Sequence, residues 1–264
     1  MSLAAIEQLL KSTMGLNAAS IGSSAINRAV QQRLRELGGA SAEEYLLRLH
    51  ASSVELAELI DLVIVPETWF FRDRHPFEAL SRCARDFLSN SQRVGPLRIL
   101  SVPCSTGEEP YTIVMTLLDA GLRPADFQID AVDISNPNLE RARAGLYRDH
   151  SFRGDELGFR DRYFLKSEHG YLLQAEVRNQ VRLHHANLLA AGFFANAVPY
   201  DVVFCRNLLI YFDRETQARA LAVLERLLAP HGLLFLGHAE AGVLAGRAFV
   251  SLGQPRSVGC VRGS

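Results

Sequence analysis

Four groups of residues carry types and spacings that can do chemistry. Ser105-Thr106-Gly107-Glu108-Glu109 stands between a short apolar run, Leu97 to Val102, and a helical stretch that begins near Pro110. The loop has neither G-x-G-x-x-G nor the lysine of a phosphate loop. Two carboxylates at a helix N-terminus repel a pyrophosphate and suit a ligand with a cationic end. Both acids would also complement the helix dipole with no ligand at all, and the loop taken alone leaves these readings level. Asp133 follows the next apolar run, Phe127 to Val132, 26 residues after Gly107. An acid there can accept hydrogen bonds from both ribose hydroxyls, or it can cap the following helix; its pairing with the loop favours the ligand.

The third group, Arg206, Asn207 and Tyr211, follows the buried run Asp201 to Cys205. That position is the rim of a sheet, where ligands of such folds bind. Arg206 could instead only pair with an acid, and Tyr211 only fill core. The fourth group is Pro66-Glu67-Thr68-Trp69-Phe70-Phe71-Arg72-Asp73. Phe70 and Phe71 read chiefly as packing between two parts of the chain. Thr68 and Arg72 would need polar partners if buried.

The elements that position these groups are of two kinds. Residues 1–65 form a small helical domain: Ile26, Val30, Leu34 and Leu37 recur at helical spacing behind the candidate caps Ser23 and Ser24. Gly38-Gly39 ends that helix, and Ser41 with Glu44 begins the next as a capping box. Residues 66–264 alternate short apolar runs with amphipathic stretches, which predicts a parallel, doubly wound (Rossmann-like) α/β sheet. Its last parallel strand is Leu233 to Leu236, entered through a Pro230-His231-Gly232 turn. The tail from Phe249 to Val261, broken at Gly253-Gln254-Pro255, reads as a closing hairpin. Residues 151–185 break the alternation. With Tyr171-Leu172-Leu173 and Val181-Arg182-Leu183 as strands, they read as a small antiparallel β insertion.

Bulk properties narrow the classes. A length of 264 residues suits one large or two unequal domains, and a net charge of −1 argues against a general nucleic-acid binder. Cys83, Cys104, Cys205 and Cys260 form no C-x-x-C pair, which points to reduced thiols and no metal site. No basic, apolar leader opens the chain and no uncharged run approaches ~18 residues, so a cytoplasmic protein without membrane insertion is expected.

The ordered set E-T-W-F-F-R-D, S-T-G-E-E-P-Y, D-I-S with A-G-L-Y, A-N-L-L, F-C-R-N-L-L-I-Y-F-D and G-L-L-F-L-G-H-A-E resembles the CheR chemoreceptor methyltransferases over nearly the whole chain. The resemblance implies transfer of methyl from S-adenosylmethionine to glutamate side chains in the cytoplasmic helical bundle of chemoreceptors, leaving S-adenosylhomocysteine. It implies that Thr68 and Arg72 close over the cofactor and that Glu109 contacts it near the methionyl ammonium. Asp133 would hold the ribose, Asn187 and Leu188 would border the adenine, and Arg206, Asn207 and Tyr211 would sit near the transferring methyl. Many relatives have Asn where this chain has Pro66. Pro66 and Trp69 resemble a surface-sensing (Wsp-type) branch, some of which carry helical repeats after the catalytic part. The 264 residues are therefore a candidate piece of a longer protein.

These residue types suit that reaction. The acceptor glutamate is ionised near neutral pH, with an ordinary pKa of about 4.3, so no general base is needed. Positioning is the main task, and Arg72 and Arg206 are candidates to orient a carboxylate or the cofactor. Phe70, Phe71 and Tyr211 are candidate walls of a water-poor site. Arg28 and Arg35 lie seven residues apart on one helix face. That face is either solvated charge or a dock for an acidic receptor helix, and the resemblance favours the dock. Two alternatives remain: a methyltransferase of another substrate, and a relative that binds the cofactor without catalysis.

Overall fold

A computed structural model of the chain describes residues 2–90, 95–245, 249–251 and 258–262. Five helices come first: α1 (Ser2–Met14), α2 (Ala18–Ile21), α3 (Ser23–Glu36), α4 (Ala42–Ala51) and α5 (Ser53–Val63). The α3 stripe Ile26, Val30 and Leu34 packs against Ile6 and Leu10 of α1, Tyr45 and Leu49 of α4, and Leu59, Ile60 and Val63 of α5. Ser41 and Glu44 form the reciprocal capping box, the Glu44 N–H donating to Ser41 Oγ at 3.2 Å and the Ser41 N–H to Glu44 Oε2 at 2.7 Å. Gly22, rather than Ser23 or Ser24, occupies the cap position of α3 and offers no side chain. Arg33 turns inward, its guanidinium donating twice to the buried Glu55, while Arg28 and Arg35 are exposed.

After the linker, α6 (His75–Ser89) leads into β1 (Leu97–Ser101), α7 (Glu108–Asp119), β2 (Phe127–Asp133) and α8 (Asn136–Ala144). Then follow β3 (Leu146–Tyr147), α9 (Gly158–Tyr163), β4 (Phe164–Ser167), β5 (Gly170–Leu173), α10 (Ala175–Arg178) and β6 (Val181–His185). The chain returns through β7 (Tyr200–Cys205), α11 (Arg214–Leu227), β8 (Leu228–Leu236), β9 (Phe249–Ser251) and β10 (Val258–Arg262). Among the described residues no helix is long and apolar enough to cross a membrane.

Among the described residues the main sheet has seven strands in the order β6-β2-β1-β7-β8-β10-β9. The first five run parallel, β10 pairs antiparallel with β8, and β9 pairs antiparallel with β10. The parallel strands read as continuous apolar runs because successive side chains enter different cores on the two faces. Ile99, Val202, Phe204 and Phe235 meet α6 and α7 on one face. Leu100, Val203, Leu234 and Leu236 meet Leu221, Leu224 and Leu227 of α11 on the other.

Three local expectations change. The Pro230-His231-Gly232 turn is a bulge inside β8, since Tyr200 to Val202 of β7 spans the same length as Leu228 to Leu233. The expected insertion 151–185 is displaced: its antiparallel sheet has the order β3-β5-β4 and begins at Leu146. Val181–His185 instead forms the parallel edge of the main sheet beside β2. A strand of five residues carries no mark of its partner, so its sheet could not be read from its pattern. The break expected at Gly253-Gln254-Pro255 lies outside the described residues.

Phe70 of the linker enters the core under the small sheet, edge-on to Tyr147 and Phe164 at 4.8 and 5.0 Å and stacked on Phe152 at 5.2 Å. The same core limits Gly107, whose φ is 97°. A Cβ there would stand 2.7 Å from the Tyr111 ring, 2.9 Å from Ala142 Cβ and 2.9 Å from the Tyr147 hydroxyl oxygen. That hydroxyl donates to the Thr106 carbonyl at 2.8 Å, so loop and subdomain are keyed together. Gly107→Ala should therefore destabilise the fold by about 2–3 kcal/mol through crowding and a left-handed backbone, read as a lower urea midpoint.

Candidate functional site

From β1 the chain moves outward through β2 to β6, then returns beside β1 with β7 and continues outward through β8. Strand order thus reverses between β1 and β7, where open α/β sheets form a crevice beyond the carboxyl ends of the strands. Two connected compartments occupy this place. One spans about 500 Å³, part of it open to solvent, and includes Thr68, Trp69, Arg72, Glu109, Arg206 and Asn207 in its walls. The other spans about 620 Å³, also partly open to solvent, and is mostly apolar, with Met14, Leu16, Ile21, Val63 and Tyr211 around Asp133. Val65, Pro103, Ser105 and Asn207 line both.

The polar compartment is organised by Arg206, which is only 5% exposed. Its guanidinium donates to Glu109 Oε2 at 3.1 Å, to Asp73 Oδ2 at 2.7 Å and to the Arg72 carbonyl at 2.9 Å. The other oxygen of Glu109 accepts from Ser101 Oγ at 2.8 Å. Burial raises the Glu109 pKa above the ordinary carboxylate value, and Arg206 opposes that rise. Arg72 donates to the Glu67 carbonyl at 2.6 Å and lies over the Trp69 ring at 4.5 Å, with Arg153 4.3 Å from the same ring. Glu108 faces away: Thr106 and Ser151 hydroxyls donate to it at 2.6 and 2.9 Å, locking the loop.

Asp133 is buried, and burial raises its pKa while the Ser135 and Ser105 N–H groups pull it back. Those N–H groups donate to Oδ1 at 2.9 Å and Oδ2 at 2.8 Å. The Asn138 side chain also hydrogen-bonds this carboxylate, whose two oxygens together retain acceptor capacity for a ligand hydroxyl. Ser105 Oγ and Arg206 Nε are buried without a partner among the described residues. Ser105 and Asn207 also hold left-handed backbone, with φ of 47° and 59°, as do Phe71 and Asp73 beside them at 56° and 55°. Strained backbone of this kind costs about 1–3 kcal/mol per residue and concentrates at ligand sites.

The fold brings Thr68, Arg72, Glu109, Asp133, Arg206, Asn207 and Tyr211 together on the cleft walls. Asn187 and Leu188 are not on those walls. The Asn187 side chain donates to the Thr13 carbonyl at 2.6 Å and accepts from the Leu189 N–H at 2.9 Å, tying α1 to the sheet domain, while Leu188 is core. Phe70 and Phe71 are also absent, because both rings turn into aromatic core; Trp69 and Phe77 stand at the polar compartment instead. Sequence reasoning gave no role to Ser101, Asp73 or Glu240. Ser101 was visible as a polar residue ending an apolar strand, whereas Asp73 acquires its role only when the linker folds back onto β7.

Arg206 and its acids form a buried, partly solvent-excluded ion network, so removing the cation strands Glu109. Arg206→Met should lower stability by about 3–5 kcal/mol at neutral pH, measured by urea unfolding.

A carboxylate and a guanidinium in one compartment suit an amino-acid head group. An apolar slot with an acid at its edge suits a ring and its attached diol. The CheR methyltransferase family's SAM-binding domain matches residues 66–256. Over 251 residues the chain is 52% identical to a probable biofilm formation methyltransferase, WspC, of Pseudomonas aeruginosa, covering 95% of this chain and 60% of that protein. A protein of the same description in Pseudomonas putida is 45% identical over 255 residues, covering 97% and 60%. A chemotaxis protein methyltransferase of Escherichia coli is 36% identical over 256 residues, covering 94% and 87%. The chain thus spans 60% of the length of the two biofilm-associated relatives. Taken with the cleft at the strand-order reversal, these matches show that the chain belongs to the CheR methyltransferase family and carries its S-adenosylmethionine-binding domain.

Proposed function

We propose that this chain methylates glutamate side chains on the cytoplasmic helical bundle of a chemoreceptor and so tunes chemosensory signalling. The observation that carries this is the divided cleft, with Glu109, Arg72 and Arg206 at one end and Asp133 beside an apolar slot at the other. The family's cofactor fits it: the unpartnered Ser105 Oγ and Arg206 Nε are buried polar atoms that a polar ligand can satisfy. Glu109 would take the methionyl ammonium, Arg72 and Thr68 the carboxylate end, and Asp133 the ribose diol. Val63, Ile21 and Leu16 would flank the adenine. Bound there, S-adenosylmethionine supplies a methyl group activated by positive sulfur.

The protein's own work is positional. Both terminal nitrogens of Arg206 are engaged by Glu109, Asp73 and a carbonyl, so it holds the polar wall rigid with only its Nε–H left for a ligand, and Arg72 and Tyr211 are the groups left to meet an incoming carboxylate. A guanidinium already engaged with Trp69 and the Glu67 carbonyl makes only a loose contact with that carboxylate. A loose contact orients the acceptor without over-stabilising it before transfer. The cleft needs no group that accepts a proton, because the acceptor arrives ionised.

Cofactor affinity should depend on pH through Glu109. The ionised carboxylate binds the ammonium, and its pKa is raised by burial. Affinity for S-adenosylhomocysteine should therefore be full above that raised pKa and fall as pH drops through it. In calorimetric titrations Glu109→Gln should weaken binding near neutral pH and flatten this dependence; an unchanged slope removes Glu109 from the ammonium site.

The acceptor assignment is supported by the Escherichia coli relative, named as a chemotaxis methyltransferase, and by the exposed Arg28 and Arg35 on α3. It is tested by transfer of labelled methyl to receptor cytoplasmic fragments, with release of the label by mild base as expected of an ester. Charge reversal of Arg28 and Arg35 together should slow transfer several-fold at low salt and little at high salt, as screened attraction requires. Label that resists mild base rejects a glutamyl ester, and an unaltered rate at low salt rejects α3 as the dock.

A further inference from the structure

Glu240 lies outside every group singled out for chemistry, yet it is one of the most buried charged residues, at 1% exposure. It sits in the 3-10 turn after β8, three residues beyond Gly237. Its Oε1 accepts from the Leu209 N–H at 2.7 Å and the Ile210 N–H at 3.3 Å. Its Oε2 accepts from the Asn207 N–H at 3.0 Å and the Gly237 N–H at 2.6 Å. Among the described residues no basic side chain pairs with it. Burying a carboxylate without a cation is costly, and convergent N–H groups are what offsets the cost.

Resting on the methyltransferase reading, we propose that Glu240 is a positioning residue that holds the turn after β7 and so sets Asn207 and Tyr211 against the cleft, with Arg206 anchored just before them. Asn207 is left-handed at φ 59°, which aims its N–H, with those of Leu209 and Ile210, at one point. The carboxylate occupies that point. On the other side of the turn Gln217 Nε2 donates to the Leu209 carbonyl at 2.9 Å and the Phe212 carbonyl at 3.2 Å. Donors and acceptors of the turn are therefore clipped by two separate side chains. Gly237 makes room for the first clip: a Cβ there would lie 2.7 Å from Glu240 Oε2 and 3.0 Å from the Asn207 nitrogen. The Gly-x-x-Glu spacing after β8 thus serves the turn after the neighbouring strand as well as its own.

The test compares Glu240→Gln, Glu240→Asp and Gly237→Ala with Asp126→Asn, a buried acid at the opposite end of β2 from the cleft. Glu240→Gln turns an amide toward the N–H groups and releases the turn. Its turnover per folded molecule should fall about 10²-fold, the scale of a misplacement near 1 Å, with acceptor KM little changed. Its Kd for S-adenosylhomocysteine should rise severalfold. Glu240→Asp, which keeps the charge but shortens the reach, should fold and lose less, and Gly237→Ala should resemble Glu240→Gln. Asp126→Asn should lose stability alone. The inference is overturned if Glu240→Gln and Glu240→Asp are only less stable, with wild-type turnover and Kd per folded molecule. A wild-type chain that binds S-adenosylhomocysteine yet methylates no receptor fragment would fail the acceptor assignment alone, and the Kd comparison would still decide Glu240.

Discussion

The Arg206 guanidinium is the interaction on which the site depends. It is buried at the end of β7 and binds the first turn of α7 through Glu109 and the linker through Asp73 and the Arg72 carbonyl. Three stretches far apart in sequence meet on one cation. An ion pair this dry contributes little net stability against an apolar substitute of similar shape, but losing one member is expensive. Its value is geometric, since the planar fork leaves its partners little choice of position.

The other half of the cleft is made by a seam between the helices and the sheet domain. Lys11 of α1 contacts Asp213 at 2.6 Å, at the N-cap of α11. The Lys11 ammonium and the Thr216 N–H hold the Asp213 carboxyl well below the usual range. The Asn17 N–H donates to the Tyr211 carbonyl at 2.8 Å, and Asn187 reaches the Thr13 carbonyl. Met14, Leu16 and Ile21 are thereby held over the apolar compartment. The N-terminal helices therefore line the cleft as well as offering a candidate surface for the acceptor.

Much of the site was legible because its chemistry lies at strand ends, where polar residues interrupt apolar runs. Glu109, Asp133, Arg206 and Tyr211 all stood out this way. The motif around Asn187 gave no sign that its amide also ties α1 to the sheet domain. Phe70 and Phe71 read chiefly as packing and also as candidate walls, and the aromatic core beneath β5 takes both rings and leaves the cleft wall to Trp69. Glu240 stood within the G-L-L-F-L-G-H-A-E run but had no visible partner, because three of its four donors, Asn207, Leu209 and Ile210, lie thirty or more residues earlier in the chain.

By itself the sequence determined the alternation of elements, the helical opening, the capping box at Ser41 and the strand-end residues, because each depends on neighbours within a few positions. The tertiary structure alone decided that Val181–His185 joins the main sheet, that Arg206 gathers Asp73 with Glu109, and that Glu240 serves the turn after β7. Those outcomes rest on contacts between distant segments, whose energies depend on distance and direction in space. Local periodicity carries no record of either.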